Sequence, residues 1–562
     1  MKFIKIILVT TLFTTAVACN KQLDGLLDNP NSPSLSTADV DLLLNTVQLS
    51  FSYLFDDASN TGGQLTRQQT WYGPTYSSAY SPASFNGLWN TGYTSILKNA
   101  NALIPLAQAQ KRYTASGMAK FMKAYTITLL VDAFGDIPYS EAVLGVANPN
   151  PKTDASAKIY EQAILLYDDA IKDFSTAGAA PANDVFYGGN TAKWITASKT
   201  MKLKLLMQTR KVDATSHAKI AALITAGDLI KTISGDLNFK YGTNITSPDS
   251  RHPDYAGNYG PNGAGEYLGD WFMWAVAAEK SGSVTATNPR GATIDPRQRY
   301  YFYRQNTNSA NVNEITLFCS TNAQRPPNYT AEMPYCYVGA GYWGRDHGDN
   351  GGTPPDGQFK TTWGVYPAGG EVDQNQAAGV KLEMGGKGAG ILPIWNSEFT
   401  YFVHAEAAIV GIIPGGAAQA KTFLTAALKA SIAKVTGFAA TVGVSVSATF
   451  APTTATIDNY VSLVMAEYDA AATNEDKLAV IMKEYYLALW GNGWEAYNNY
   501  RLTGYPKNMQ PTVFATNPGL FVRLFQYPQD YVGRNLNAPK QRALGTAVSK
   551  AFWDNNPDNF IK

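Results

Sequence analysis

The pattern of apolar and polar positions predicts helices over most of the chain. From Tyr93 onward, apolar side chains recur every three or four residues, which is the spacing of one buried helix face. A second face runs from Met118 to Leu129 and ends at residues 134–138, FGDIP, where a glycine and a proline stop a helix. Pro105 inside the first face predicts a kink or a break. Helices joined by a short turn pack antiparallel, so we expect a helical hairpin.

Further amphipathic segments predict further hairpins. Their buried faces run from Tyr160 to Phe174, from Trp194 to Leu205, from Phe399 to Val410 and from Leu478 to Leu489. Repeated hairpins without a strict sequence period are typical of a tetratricopeptide-like arrangement whose units have diverged. We therefore predict a mainly α fold, with a helical scaffold over about residues 36–241 and 394–505.

The scaffold is interrupted by a long region of different composition. Residues 242–393 are rich in Gly, Pro, Asn and aromatic side chains and show little periodicity, which predicts a large, variable, loop-rich region. A loop region of this length inside a compact protein is usually functional. The first scaffold helix is expected to begin near Ser36 or Thr37, with Asp39 and Asp41 in its first turn. Residues 506–562 form a C-terminal tail.

The first 18 residues predict a signal peptide. Lys2 and Lys5 precede an apolar run that is too short to span a bilayer, and residues 16–18, AVA, stand directly before Cys19. This arrangement resembles a lipobox, in which the cysteine is acylated and becomes the first residue of the mature protein. Ordinary secretion with an unmodified Cys19 is the alternative. Residues 19–562 are then expected to form a single domain.

Composition restricts the partners. Lysine and arginine number 45 and aspartate and glutamate 44, without a long run of one sign, so nucleic acid and other polyanions are not expected to bind. No stretch after the signal peptide is long and apolar enough to predict a spanning helix, so we expect membrane contact by the lipid anchor only. Aromatic residues make up 12% of the chain and charged residues 16%, which favours neutral, polar ligands.

The chain has only three cysteines, Cys19, Cys319 and Cys336. If Cys19 carries lipid, the other two form an even pair in an exported protein, where a disulfide can persist. Such a bond would contribute ~3 kcal/mol in the chain-entropy account. Two buried free thiols are the alternative.

Aromatic side chains without helical spacing are the candidate ligand-binding residues. We select Trp71, Tyr72, Tyr76, Trp343 and Trp363, which lie among glycine, serine, proline and other turn formers. Flat rings with polar edges stack on sugar faces or flank peptide side chains. The alternative is that these rings pack beneath the long loops as small satellite cores.

Cofactor sites are sparse in the sequence. Asp346, Asp349 and Asp356 lie in one oxygen-rich loop, which makes them a candidate calcium site. The loop lacks the spacing of an EF-hand, so a simple turn-rich loop is favoured. The four histidines show no metal-binding spacing, and no other cofactor motif is present.

Two acidic residues allow an enzymatic alternative. Glu266 and Asp270 stand four positions apart beside Trp271, and a glycoside hydrolase needs two carboxylates ~5 to 10 Å apart in a cleft.

Other charged residues have structural interpretations. Glu406 on an apolar face predicts a buried partner, and Arg501 near a helix end is expected to meet backbone carbonyls.

Motifs spread over the chain carry a family resemblance. They are residues 125–139 (YTITLLVDAFGDIPY), 294–297 (IDPR), 397–407 (SEFTYFVHAEA), 426–432 (AALKASI), 495–506 (EAYNNYRLTGYP) and 526–528 (QYP) with Asn535. In this order, behind a lipobox, they resemble the SusD/RagB-type outer-membrane nutrient-binding lipoproteins. Leu502, where the family usually has a second arginine, and Ile137 in place of valine are mild departures.

The resemblance implies a function as well as a fold. It implies a tetratricopeptide-like half, a loop-rich half and a non-catalytic, lipid-anchored protein of the outer membrane that faces the cell exterior. It also implies a TonB-dependent, SusC-like transporter barrel as the partner. The ligand would be a nutrient oligosaccharide or oligopeptide, since members of the family bind different oligomers. A surface glycoside hydrolase remains the alternative.

Overall fold

The structure, a computed structural model, describes residues 39–73, 75–281, 295–307, 325–352, 354–514, 519–544 and 549–561. The signal peptide, Cys19 and Cys319 lie outside them. The α-helices, α1 to α17, are Val40–Leu65, Tyr76–Ala79, Asn86–Asn90, Lys98–Ala109, Tyr113–Phe134, Ser156–Phe174, Thr191–Thr209, Ser216–Ala226, Pro253–Asn258, Asp270–Ala277, Gln298–Tyr301, Ser397–Ile409, Gly416–Thr441, Thr454–Ala470, Asn474–Ala488, Gly493–Thr503 and Gln529–Arg534. The strands, β1 to β4, are Leu237–Lys240, Phe302–Arg304, Thr361–Trp363 and Ile391–Trp395. The predicted mainly α fold is confirmed.

Helix α1 begins slightly later than its sequence pattern suggested. Asp39 is the residue before the first turn, and its carboxylate accepts hydrogen bonds from the backbone N–H groups of Asp41 and Leu42. A side chain that satisfies these otherwise unpaired N–H groups marks the start of a helix. The helix therefore starts at Val40, and Asp39 caps it instead of lying inside its first turn.

The predicted helical hairpin is present: α4 and α5 are separated only by residues 110–112 and pack on each other, and α5 stops at the FGDIP sequence. Helix α5 ends at Phe134, and Gly135 follows with φ of +74°, a conformation that side chains with a Cβ rarely adopt. Helix α5 then packs on α6. The break considered at Pro105 does not occur, because α4 continues through that residue to Ala109.

A two-stranded sheet joins the two ends of the loop-rich region. Strand β1 pairs antiparallel with β4, so Asn238 lies opposite Pro393 and Lys240 lies opposite Ile391. Strands β2 and β3 form a second antiparallel pair inside the region. Between the elements, the described part of the region consists of turns and isolated bridges, in agreement with its lack of periodicity.

Buried polar contacts join distant parts of the scaffold. The carboxylate of Asp132 accepts hydrogen bonds from Tyr160, Asn498 and Trp553. Arg501 donates to the backbone carbonyls of Asp132 and Arg523, both at 2.7 Å, which confirms the expectation for this arginine. These contacts join α5, α16 and the C-terminal tail.

The expected partner of Glu406 is Arg210. Both side chains are 4% exposed and form a buried ion pair between α12 and the end of α7.

Among the described residues, one helix, α13, is long and apolar enough to cross a membrane by length and composition, and half of that stretch is buried inside the fold. Since α13 packs on α12 and α14, it is part of the scaffold.

Candidate functional site

Four of the five rings selected from the sequence lie in the protein interior. Trp71 and Trp363 are 1% exposed, Tyr76 is 2% and Trp343 is 3% exposed, whereas Tyr72 is 46% exposed. A ring with so little accessible surface cannot stack on a ligand in this conformation. The prediction of an exposed five-ring platform is therefore wrong for Trp71, Tyr76, Trp343 and Trp363.

Each buried ring has an aromatic neighbour. Trp71 stacks on Tyr76 with 4.5 Å between ring centres, and Trp363 stacks on Trp490 at 4.0 Å. Trp343 stacks on Phe359 in a small satellite cluster, which is the alternative considered from the sequence. Because these rings have no helical spacing, the sequence pattern alone did not show that they are buried.

Tyr72 is the exposed end of a row of rings and cations. The guanidinium carbon of Arg345 lies 6.0 Å from the centre of the Tyr72 ring and 4.3 Å from that of Tyr267. The Nζ atom of Lys360 lies 3.8 Å from the same Tyr267 ring. Cation–π contacts contribute about 0.5–2 kcal/mol each, with the larger values at desolvated sites. We call Tyr72, Arg345, Tyr267 and Lys360 the cation–π row.

Three chain segments position the cation–π row. The backbone N–H of Thr70 donates to the carbonyl of Tyr267 at 3.2 Å, and that of Arg345 donates to the carbonyl of Leu268 at 3.0 Å. Gly269 lies between these segments, and a Cβ there would be 2.1 Å from the carbonyl oxygen of Arg67. Only glycine allows so close an approach of two backbones.

A buried carboxylate fixes the inner part of the row. Asp356 accepts the Tyr267 hydroxyl at 2.6 and 2.7 Å and the indole N–H of Trp343 at 3.2 Å. The ammonium group of Lys360 donates to the carbonyl of Gly265 at 3.1 Å and lies 3.7 Å from Asp356. Burial lowers the pKa of Lys360 and raises that of Tyr267. The inner rings and cations are therefore rigid supports, and the outer face of Tyr72 is open to a ligand.

The candidate calcium ligands are used for other contacts. Asp356 binds Tyr267 and Trp343, as described above. Asp346 is buried and accepts hydrogen bonds from the backbone of Cys336 at 2.7 Å and from Gln510 at 2.5 Å. Within the described ranges, no group of three or more His, Cys, Asp or Glu side chains is arranged to hold a metal ion. The described residues therefore do not support the calcium assignment to Asp346, Asp349 and Asp356.

The two carboxylates considered for hydrolysis do not share a surface. Asp270 is completely buried, and burial together with the nearby Asp346 raises its pKa well above the usual range. Glu266 is exposed and accepts a hydrogen bond from Asn258 at 3.1 Å. Because a substrate cannot reach Asp270, this pair does not form the cleft that glycoside hydrolysis requires.

The cysteine prediction is met in part. Cys336 is disulfide-bonded, but Cys319 lies outside the described residues. The pairing of Cys336 with Cys319 therefore stays a prediction.

Sequence reasoning missed the cations of the site. Arg345 stands next to the candidate calcium residues, and its contact with Tyr267 spans 78 positions of the chain, as the numbering shows. A cation–π contact between loops has no characteristic spacing along the sequence. The sequence indicated these residues only in that Tyr267, Arg345 and Lys360 all lie in the loop-rich region.

Comparisons with known proteins agree with the architecture. The sequence profile described as "Starch-binding associating with outer membrane" (SusD-like) matches residues 30–317, and the profile described as "Susd and RagB outer membrane lipoprotein" matches residues 388–543. No curated protein sequence matches the chain.

Solved structures share the fold at low sequence identity. A SusD/RagB family protein from Bacteroides thetaiotaomicron is 18% identical, with a TM-score of 0.61 and coverage of 89% of this chain and 95% of that one. A SusD homologue from Bacteroides fragilis is 17% identical, with a TM-score of 0.60 and coverage of 89% and 94%. A chitin-binding SusD homologue from Flavobacterium johnsoniae is 19% identical, with a TM-score of 0.57 and coverage of 92% and 99%. The first profile alone spans more than half of the 562 residues, and so the chain belongs to the SusD-like family.

Proposed function

We propose that the chain is a cell-surface lipoprotein that binds a glycan on the outer face of Tyr72 without cleaving it. The observation that carries the proposal is that Tyr72, alone among the five selected rings, is exposed and stands on a rigid row of cations and rings. Contacts on its inner side already restrict the half-exposed Tyr72 ring. Stacking on a ligand therefore costs little further conformational entropy, which favours binding.

Family membership supports a glycan over a peptide as the ligand. One matching family profile is described as starch-binding, and one similar structure is that of a chitin-binding protein. Sugars present apolar C–H faces that stack on aromatic rings and hydroxyls that bind polar groups at the ring edge. The exposed ring of Tyr72 and the exposed carboxylate of Glu266, the residue before Tyr267, offer the two kinds of contact.

The proposal includes delivery to a TonB-dependent, SusC-like transporter barrel. Family membership supports this partner, and the lipobox at Cys19 supports a lipid anchor in the outer membrane with the folded part on the exterior. The near-balanced charge of the chain favours an interface of shape and polar contacts. A complex of that kind should persist when the ionic strength is raised.

A binding screen with product analysis tests the proposal. Purified protein is titrated with starch, chitin and other glycan oligomers and with oligopeptides of similar length, and each mixture is then analysed for cleavage. We expect saturable binding to at least one glycan and an unchanged oligomer length. Binding to peptides alone would contradict the glycan assignment, and shortened oligomers would favour the hydrolase alternative.

A further inference from the structure

Two acidic side chains face a small polar pit near the cation–π row. Asp56 on α1 and Asp254 on α9 line it together with Asn60 and Gln69, and the pit has space for one water-sized group. Gln69 donates from its side-chain nitrogen to Asn60 at 3.1 Å, which directs its carbonyl oxygen away as an acceptor. The pit therefore presents hydrogen-bond acceptors, two of them carboxylates.

The carboxylate of Asp254 is buried without a partner. The residue is 8% exposed, and no described group donates a hydrogen bond to its side chain. The nearest nitrogen, Nδ1 of His252, is 3.6 Å away and accepts the backbone N–H of Asp254 at 3.2 Å. Burial lowers the pKa of His252 to about 3, so the imidazole is neutral and supplies no charge. An unpaired buried carboxylate is costly unless a proton or a cation reaches it.

The titratable groups around the two pit aspartates are mainly acidic. Burial raises the pKa of Asp56 to about 7, and the neighbouring Asp57 and Glu266 add to the shift. Burial, Glu266 and Asp56 raise the pKa of Asp254 well above its usual range. Tyr241, whose pKa is itself raised by burial and by both aspartates, is the remaining titratable neighbour. A cation in the pit would relieve this repulsion.

An ammonium group suits the pit better than a metal ion. A calcium ion needs six to eight oxygen ligands, and among the described residues no group of three or more His, Cys, Asp or Glu side chains could hold a metal ion. An ammonium group is about the size of a water molecule and needs only a few acceptors at hydrogen-bond distance. Asp56, Asp254 and Gln69 can provide them.

The chain segment that carries Tyr72 also lines the pit: Gln69, three positions before Tyr72, lies in the pit wall and pairs with Leu268 in an isolated bridge. Glu266 acts on the pKa of both pit aspartates, and it also adds to the effect of burial in raising the pKa of Tyr72. The side-chain nitrogen of Asn258, on α9, donates to the exposed Glu266 at 3.1 Å and to the carbonyl of Asp254 at 2.7 Å.

We infer that the pit takes the free ammonium group of an amino sugar, so that the preferred ligand is a glycan containing unacetylated glucosamine-type residues. The inference rests on the proposed function, because Tyr72 supplies the stacking surface. Asp254 and Asp56 bind the ammonium group, and Gln69 completes its hydrogen bonds.

A ligand series and a charge-removing variant test the inference. The full-length protein without its lipid is titrated near neutral pH with glucosamine, N-acetylglucosamine and glucose oligomers of matched length. The same titrations follow for Asp254→Asn and for the control Asp458→Asn, whose exposed side chain lies on α14. We expect the wild type to prefer the glucosamine oligomer. Asp254→Asn should weaken that affinity about ten- to a hundredfold, the usual effect of losing a charge-assisted hydrogen bond, and leave the other two affinities unchanged.

The outcomes separate this inference from the proposed function. Binding of the N-acetylated or neutral oligomer with no preference for the free amine would overturn the ammonium site and leave the glycan-binding proposal intact. Equal losses for all three oligomers in Asp254→Asn would also overturn it, because a purely structural role predicts that result. No binding to any glycan, together with binding of a lysine-rich peptide, would overturn both.

Discussion

The Nζ atom of Lys360 lies 3.8 Å from the centre of the Tyr267 ring, on a side chain whose hydroxyl is bound by Asp356. Arg345 contacts the same ring at 4.3 Å and continues the row to Tyr72. One buried tyrosine thus contacts two cations that lie 15 positions apart in the segment between β2 and β3. This arrangement explains how a surface made of loops can present Tyr72 in a defined position.

Trp71→Ala and Trp343→Ala should destabilise the fold and not act on binding alone. Both rings are buried and stacked, so their removal leaves cavities in the interior. We expect each variant to lose about 3–5 kcal/mol of unfolding free energy, as large-to-small changes in a core do. Urea denaturation followed by circular dichroism measures it. Trp194→Ala, in the scaffold core, is the matched comparison. If both loop variants had the same urea denaturation midpoint as the wild type, the conclusion that these two rings are buried would be contradicted.

Glu406→Gln should also be strongly destabilising. The substitution leaves the guanidinium of Arg210 buried without its counter-charge, which costs about 3–5 kcal/mol. The matched control is Asp458→Asn, because Asp458 and Lys429 are each 56% exposed and lie 3.7 Å apart. Exposed pairs contribute less than about 1 kcal/mol. Thermal and urea unfolding of the two variants should differ clearly, and equal losses would contradict the structural role of the buried pair.

The stability of Asp56→Asn relative to the wild type should increase with pH. The pKa of Asp56 is raised to about 7 in the folded protein and is about 3.9 in an unfolded chain. Between these values the unfolded state releases a proton that the folded state keeps, so the wild type loses stability as pH rises. The asparagine variant lacks this loss. Urea denaturation at several pH values across the window measures the difference, and a difference that is constant or falls with pH would refute the assignment.

Cys19→Ser should release the protein from the membrane. Only a thiol at this position can accept the acyl chains, and several chains bind a protein to a bilayer much more firmly than one. We expect the wild type in the detergent phase of a phase-separation assay and the variant in the aqueous phase. Partitioning of the variant into detergent would rule out Cys19 as the lipid attachment site.

The scaffold could be predicted because its signals are local. The end of α5 follows from Gly135 and the proline after it, and the buried face of each long helix follows from regular spacing. The pairing of β1 with β4 could not be predicted, because it joins residues about 150 positions apart by backbone hydrogen bonds. Nothing in the composition of either strand specifies that partner.

The site was harder to predict, because the location of a residue in a loop does not determine whether its side chain is exposed. Trp71 and Tyr72 are neighbours in the sequence, yet one ring is 1% and the other 46% exposed. The backbone of this segment runs beside Tyr267 and Leu268, and successive side chains point to opposite sides. Which ring is exposed is decided by the partner segment and not by the residue type.

The most direct test of the account is calorimetric titration of Tyr72→Ala with the glycan identified in the binding screen. The control is Tyr139→Ala, because Tyr139 is also only partly buried and is also contacted by a cation, Lys123, at 5.4 Å, but lies in the loop after α5. We predict that Tyr72→Ala keeps a melting temperature close to that of the wild type and loses about 1–3 kcal/mol of binding free energy, as hot-spot aromatic residues do, while Tyr139→Ala binds normally. Wild-type affinity in a folded Tyr72→Ala protein would contradict the claim that this ring binds the ligand.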